Sequence, residues 1–119
     1  MVKILVVDDS AFMRKVLKNI LTKGGYTDLI EATNGEEGVS KFKTDKPALV
    51  LLDIIMEKKD GISALKDIIK VNKAANVIMV SAVGQEQMVK EAIASGAKDF
   101  IVKPFEAAKV IQSVKKLIK

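Results

Sequence analysis

Five short apolar runs, most of them rich in Val, Ile or Leu, alternate along the chain with stretches in which apolar residues return every three or four positions. The runs are Ile4–Val7, Leu29–Ala32, Ala48–Leu52, Val77–Val80 and Asp99–Val102. The first, third and fourth are apolar enough to be buried on both sides, whereas the second and fifth suit sheet edges. The helical stripes are Phe12, Val16, Leu17, Ile20 and Leu21; Val39 and Phe42; Ile62, Leu65, Ile68 and Ile69; Met88, Val89, Ala92 and Ile93; and Val110, Ile111, Val114, Leu117 and Ile118. Ser10, Asn34 and Asp60 stand where helix starts need caps, and Gly24-Gly25 and Gly96 where helices stop. One strand and one helix recur about every 24 residues with connections of about 4 residues, which predicts an α/β domain with helices on both faces of a parallel sheet. A closed barrel takes eight such units and about 250 residues. The expected fold is therefore a doubly wound, flavodoxin-like sheet of five parallel strands, order 2-1-3-4-5, in one domain over residues 1–119.

Ligands of such a sheet bind beyond the carboxyl ends of its strands, so the residues found there matter most. Strand 1 ends in Asp8-Asp9, strand 3 in Asp53, strand 4 in Ser81-Ala82 and strand 5 in Lys103-Pro104. Each alone suits a cap, a turn or a solvated side chain; the joint placement at four strand ends points to a site. Three carboxylates together repel and raise one another's pKa unless a cation neutralises them. Mg²⁺, with its preference for oxygen ligands and retained water, fits that set. With the metal and the Lys103 ammonium present, one of the carboxylates becomes a nucleophile towards a phosphoryl group, and Ser81 a donor to its oxygens.

Other chemistries are excluded by what the chain lacks. With no Cys and no His there is no disulfide, zinc finger, Ser-His pair or His-ligated haem. The segment Asp8-Asp9-Ser10-Ala11-Phe12 has no glycine, which rules against a phosphate-cradling nucleotide loop. An aspartyl phosphatase would place its nucleophile and acid two residues apart after strand 1 and add a cap domain; here Asp8 and Asp9 are adjacent. The net charge of +5 comes from scattered lysines and one arginine, without the interleaved aromatics of a base-stacking surface, so it suits an acidic protein partner better than nucleic acid. No export signal opens the chain and no apolar run reaches about 18 residues, so a cytoplasmic protein with no membrane contact is expected.

The ordered motifs Val6-Val7-Asp8-Asp9-Ser10, Asp53-Ile54-Ile55-Met56 followed by Asp60-Gly61, Ser81-Ala82, and Asp99-Phe100-Ile101-Val102-Lys103-Pro104-Phe105 resemble the receiver domains of two-component response regulators. They are most similar to single-domain chemotaxis regulators of the CheY type, and the resemblance spans essentially the whole chain. It implies that Asp53 is the phosphoacceptor and that Asp8, Asp9, Asp53 and the backbone carbonyl of Ile55 bind Mg²⁺, Asp9 directly and Asp8 largely through water. It further implies that Lys103, preceding a cis peptide bond, pairs with the phosphoryl group, while Ser81 and Phe100 form the switch. Phe100 replaces a common tyrosine, which makes its switching a packing event. Glu57 replaces a common proline and leaves the loop less stiff. Ile55 and Val83 flank the pocket and cannot orient an attacking water, so slow loss of the phosphoryl group is expected.

By the same resemblance the phosphoryl donor is a sensor histidine kinase, and the chain assists its own phosphorylation and dephosphorylation without being an enzyme. Nothing follows Lys119, so the expected output is a reversible protein contact made by a monomer. The partner would be a flagellar or archaellar motor protein or its adaptor, docking on the face of helix 4, strand 5 and helix 5 near Met88, Lys90, Ala94, Phe100 and Val102. The alternative is a phosphorelay shuttle that passes its phosphate to a histidine phosphotransfer protein.

Overall fold

The computed structural model describes residues 2–56 and 58–118. Its elements follow in strict alternation: β1 (Lys3–Val7), α1 (Ala11–Lys23), β2 (Asp28–Ala32), α2 (Gly35–Asp45), β3 (Leu49–Asp53), α3 (Gly61–Val71), β4 (Val77–Ser81), α4 (Glu86–Ala94), β5 (Asp99–Val102) and α5 (Ala107–Leu117). The strands pair in parallel in the order β2-β1-β3-β4-β5, the expected doubly wound topology. β3 begins at Leu49, one residue later than expected, and carries Asp53 into the ladder.

Side chains alternate across the strands, so each face of the sheet builds its own core. Leu5, Val7, Val50, Leu52, Val77 and Met79 pack with Val39 and Phe42 of α2, Ala64, Leu65 and Ile68 of α3, and Val89 and Ala92 of α4. Ile4, Val6, Leu49, Leu51, Ile78 and Val80 face Leu17 and Leu21 of α1 and Val110 and Val114 of α5. Each large side chain fully buried in this way contributes about 1.5–3 kcal/mol.

The register aligns the polar strand ends. Val7 lies opposite Leu52, Asp53 opposite Val80, and Ser81 opposite Val102. Asp8, Asp53, Ser81 and Lys103 therefore all emerge at one edge of the sheet.

Two expected stripes are narrower than the sequence suggests. Phe12 is 71% exposed, because at 100° per residue it lies about 140° around α1 from Leu17, on a side no other layer covers. In α4 only Val89 and Ala92 are buried, while Met88 and Ile93 stay exposed. Ile93 lines an open hollow between α4 and β5.

Candidate functional site

Asp8 leaves β1 tied on three sides. Its N–H donates to the Ala32 carbonyl at 3.1 Å, its Oδ1 accepts from the Ser10 N–H at 2.9 Å, and its carbonyl accepts from Arg14 Nη1 at 2.6 Å. Its second carboxylate oxygen, Oδ2, is buried and has no hydrogen-bond partner among the described residues. Beside it the Lys103 ammonium lies 3.4 Å from Asp8 Oδ2 and 3.3 Å from Asp53 Oδ2. Carboxylate oxygens of Asp8, Asp9 and Asp53 all lie within 4.8 Å of one another; Asp8 and Asp53 are buried, and Asp9 is exposed.

This grouping sets the electrostatics. Burial, then the Asp8 charge, push the Asp53 carboxyl up to about 6 against the opposing pull of Lys103. Burial alone would lower the Lys103 ammonium, but Asp53 and Asp8 more than compensate and hold its pKa above the usual lysine value. Among the described residues the Lys103 ammonium thus pairs with two of the three clustered carboxylates, and Asp8 Oδ2 is left without a hydrogen-bond partner. A hard, oxygen-seeking divalent cation fits that donor set: it supplies the missing charge and a partner for Asp8 Oδ2.

The other expected residues take places around this centre. Ser81 is buried at the end of β4, and its hydroxyl donates to the Ile101 carbonyl at 3.5 Å, the long limit of a hydrogen bond. Phe100 on β5 is 44% exposed and borders the hollow of about 600 Å³ between α4 and β5, together with Ser81, Val89, Ile93 and Val102. Ile55 lies in the bend after β3 with its side chain exposed. The Lys103–Pro104 peptide is cis, and the Lys103 N–H donates to the Ser81 carbonyl at 2.8 Å, linking the ends of β4 and β5. Glu57 lies outside the described residues.

Sequence reasoning missed the contribution of Arg14 and the reason for Gly61. A Cβ on Gly61 would sit 2.0 Å from the Asp53 carbonyl oxygen, so only glycine lets α3 start against the strand that carries Asp53. Its N–H closes the loop onto the Ile54 carbonyl at 2.7 Å. The signal for Arg14 was its being the sole arginine, one turn into the helix that follows the acidic pair.

The sequence matches the response regulator receiver domain family over residues 4–115. The chain belongs to that family. This receiver is 51% identical over 117 residues to the chemotaxis protein CheY of Thermotoga maritima, a match covering 98% of each chain. It is 50% identical over 116 residues to the CheY of Bacillus subtilis, covering 98% of this chain and 97% of that relative. Among solved structures it is similar to the CheX–CheY–BeF3–Mg²⁺ complex from Borrelia burgdorferi, with a TM-score of 0.93, 45% identity, and coverage of 99% of this chain and 90% of that one. The protein is thus a CheY-type receiver of a two-component system, a regulator rather than an enzyme in the usual sense. No helix among the described residues is long and apolar enough to cross a membrane.

Proposed function

We propose that residues 1–119 act as one receiver in which Asp53 accepts a phosphoryl group from the phosphohistidine of a sensor kinase, with Mg²⁺ held in the acidic pocket. The α4, β5 and α5 face then binds a chemotaxis motor component or its adaptor. The observation that carries this reading is the convergence of Asp8, Asp9 and Asp53 within 4.8 Å, with the Lys103 ammonium 3.3 Å from Asp53 Oδ2. The likeness to proteins named CheY supports the chemotaxis output, and the Mg²⁺ and BeF3 named in the Borrelia complex support the metal.

In the transfer, an Asp53 carboxylate oxygen forms a bond to phosphorus as the phosphorus–nitrogen bond of the phosphohistidine breaks, and the imidazole nitrogen keeps the electron pair. With its pKa at about 6, Asp53 is mostly ionised at neutral pH and available as the nucleophile. Asp8, Asp9, Asp53 and the Ile55 carbonyl would hold Mg²⁺, which when bound screens the charge of the phosphoryl oxygens. The Lys103 ammonium, already between Asp8 and Asp53, pairs with one of those oxygens and offsets the added charge of about −1.5 to −2. Phe12 in the first turn of α1 and Ile55 and Val83 in the loops after β3 and β4 are exposed and form an apolar rim on which a protein donor can seat.

The switch follows from the weak hold on Ser81. Its long hydrogen bond to Ile101 gives way to a shorter, charge-assisted one to a phosphoryl oxygen, and Phe100 turns from its exposed position into the hollow lined by Val89, Ile93 and Val102. The docking face, where Met88, Lys90, Ala94 and Val102 are exposed, changes shape as the population shifts. Because neither Ile55 nor Val83 can activate a water, the phosphorylated state decays slowly.

Incubation with acetyl phosphate and Mg²⁺, followed by intact mass measurement, tests the site. The expected result is a gain of one phosphoryl group in the wild type and none in Asp53→Asn. An unmodified wild type, or a modified Asp53→Asn, overturns the assignment. Rapid loss of the label to a histidine phosphotransfer protein would instead identify a shuttle.

A further inference from the structure

Arg14 is the only arginine in the chain, and its side chain is just 12% exposed. Nη1 donates to the Asp8 carbonyl at 2.6 Å and Nε to Glu31 Oε1 at 2.9 Å. Glu31 on β2 is itself braced: its other carboxylate oxygen accepts from Lys18 at 2.7 Å, and its backbone carbonyl accepts from Lys41 of α2. The hydrogen bonds from Lys18 and Arg14 hold the Glu31 carboxyl below the usual glutamate range. The anchor is therefore an anion at neutral pH.

The carbonyl that Arg14 grips belongs to the peptide linking Asp8 to Asp9. With the Asp8 N–H fixed on Ala32 and Oδ1 on the Ser10 N–H, the grip removes the remaining pivot of that peptide. Its plane sets the direction in which the Asp9 side chain leaves the backbone. The positive charge of Arg14 does not help to hold a cation, which it repels. The rigid fork of its guanidinium, bridging a carboxylate and a carbonyl, has a geometric role.

We propose that Arg14, anchored by Glu31, is a positioning residue that locks the Asp8–Asp9 peptide so that both carboxylates converge on the bound cation. This rests on reading the acidic pocket as a Mg²⁺ site.

Charge and geometry predict opposite outcomes. The test is titration of the full chain with Mg²⁺, followed by ¹⁵N–¹H NMR at the Asp9 and Asp53 amides, with hydrogen exchange at Asp8 and Asp9 measured on metal-free protein and melting recorded alongside. Arg14→Lys keeps the charge and loses the fork, while Arg14→Met loses both. Both variants should bind Mg²⁺ about tenfold more weakly, as loss of an outer-shell partner does, and both should exchange the Asp8 and Asp9 amides faster. Glu31→Gln, which leaves Arg14 in place, should show a smaller loss and keeps the test open if an Arg14 variant does not fold. A role confined to folding would lower the melting temperature and leave Mg²⁺ affinity unchanged. Arg14→Lys matching the wild type, or Arg14→Met binding as tightly or more tightly, overturns the proposal alone. A wild type that takes up no Mg²⁺ overturns the metal reading of the pocket, and the proposal with it.

Discussion

Asp53 holds its proton more tightly than an ordinary aspartate because burial and the Asp8 charge outweigh Lys103, so that its pKa reaches about 6. Between about pH 4 and pH 6 the folded chain keeps a proton that the unfolded chain has released, and stability falls as pH rises through that window. Above it the penalty is complete, and two pK units correspond to roughly 3 kcal/mol. Asp53→Asn removes the ionisable group but also a partner of Lys103. Without metal it should therefore be more stable than the wild type by about 2 kcal/mol near pH 8 and show no gain near pH 4. Urea unfolding at the two pH values measures this, and a gain independent of pH would show that Asp53 is not strained by its charge. Asp8, Asp53 and Lys103 were legible in the sequence because each directly follows an apolar run, and Asp9 because it stands next to Asp8; the topology brings those ends to one edge. Arg14 stood out only as the sole arginine, and its contacts were not legible, because it bonds to a backbone carbonyl and is held by Glu31 from the edge strand; no pattern of residue types records a main-chain contact.

At the scale of elements, capping was readable wherever a side chain performs it. Ser10, Asn34 and Asp60 accept the N–H groups of Met13, Glu37 and Ser63. α5 has the same backbone entry and no such bond: Glu106 sits at φ −100° and ψ 117°, beside −93° and 115° at Ser10, yet its side chain caps nothing. Its longer side chain reaches out to Lys109 instead, in an exposed pair of a kind worth little. Glu106→Ser should stabilise the protein by about 1 kcal/mol and raise its melting temperature by about 4 °C; a thermal scan showing no increase would refute it. The α4 stripe was over-read because periodicity reports which side of a helix is apolar, not whether a neighbour covers it. Between α4 and β5 the sheet edge is left open, and Ile93 and Phe100 stay exposed there. The same gap is what the proposed movement of Phe100 requires.

On the scale of the whole molecule, the alternation of strands and helices and the double burial of β1, β3 and β4 were enough to derive the layered order. The placement of α1 on one face and of α2, α3 and α4 on the other follows once β2 lies on one side of β1 and β3 on the other, since right-handed crossovers to left and right must lie on opposite sides; α5, which joins no two strands, is not placed by that rule and packs on the α1 face. Both cores are built of apolar side chains, and the acidic cluster stands at their common edge as repulsion built into the native state. The unfolded chain has no such cluster, so a cation that binds there stabilises the entire fold, by about 2.7 kcal/mol at one hundred times its dissociation constant. The melting temperature should therefore rise with Mg²⁺ concentration near pH 8, rise less near pH 5, where a proton on Asp53 competes with the metal, and stay flat in Asp9→Asn. KCl at matched ionic strength is the control, and an equal rise with KCl or in Asp9→Asn would reduce the effect to screening. A rise specific to Mg²⁺ would show that the cation relieves this repulsion; in the proposed phosphorylated state the added negative charge would fall at the same place, where Lys103, 3.3 Å from Asp53 Oδ2, is the cation positioned to attract it.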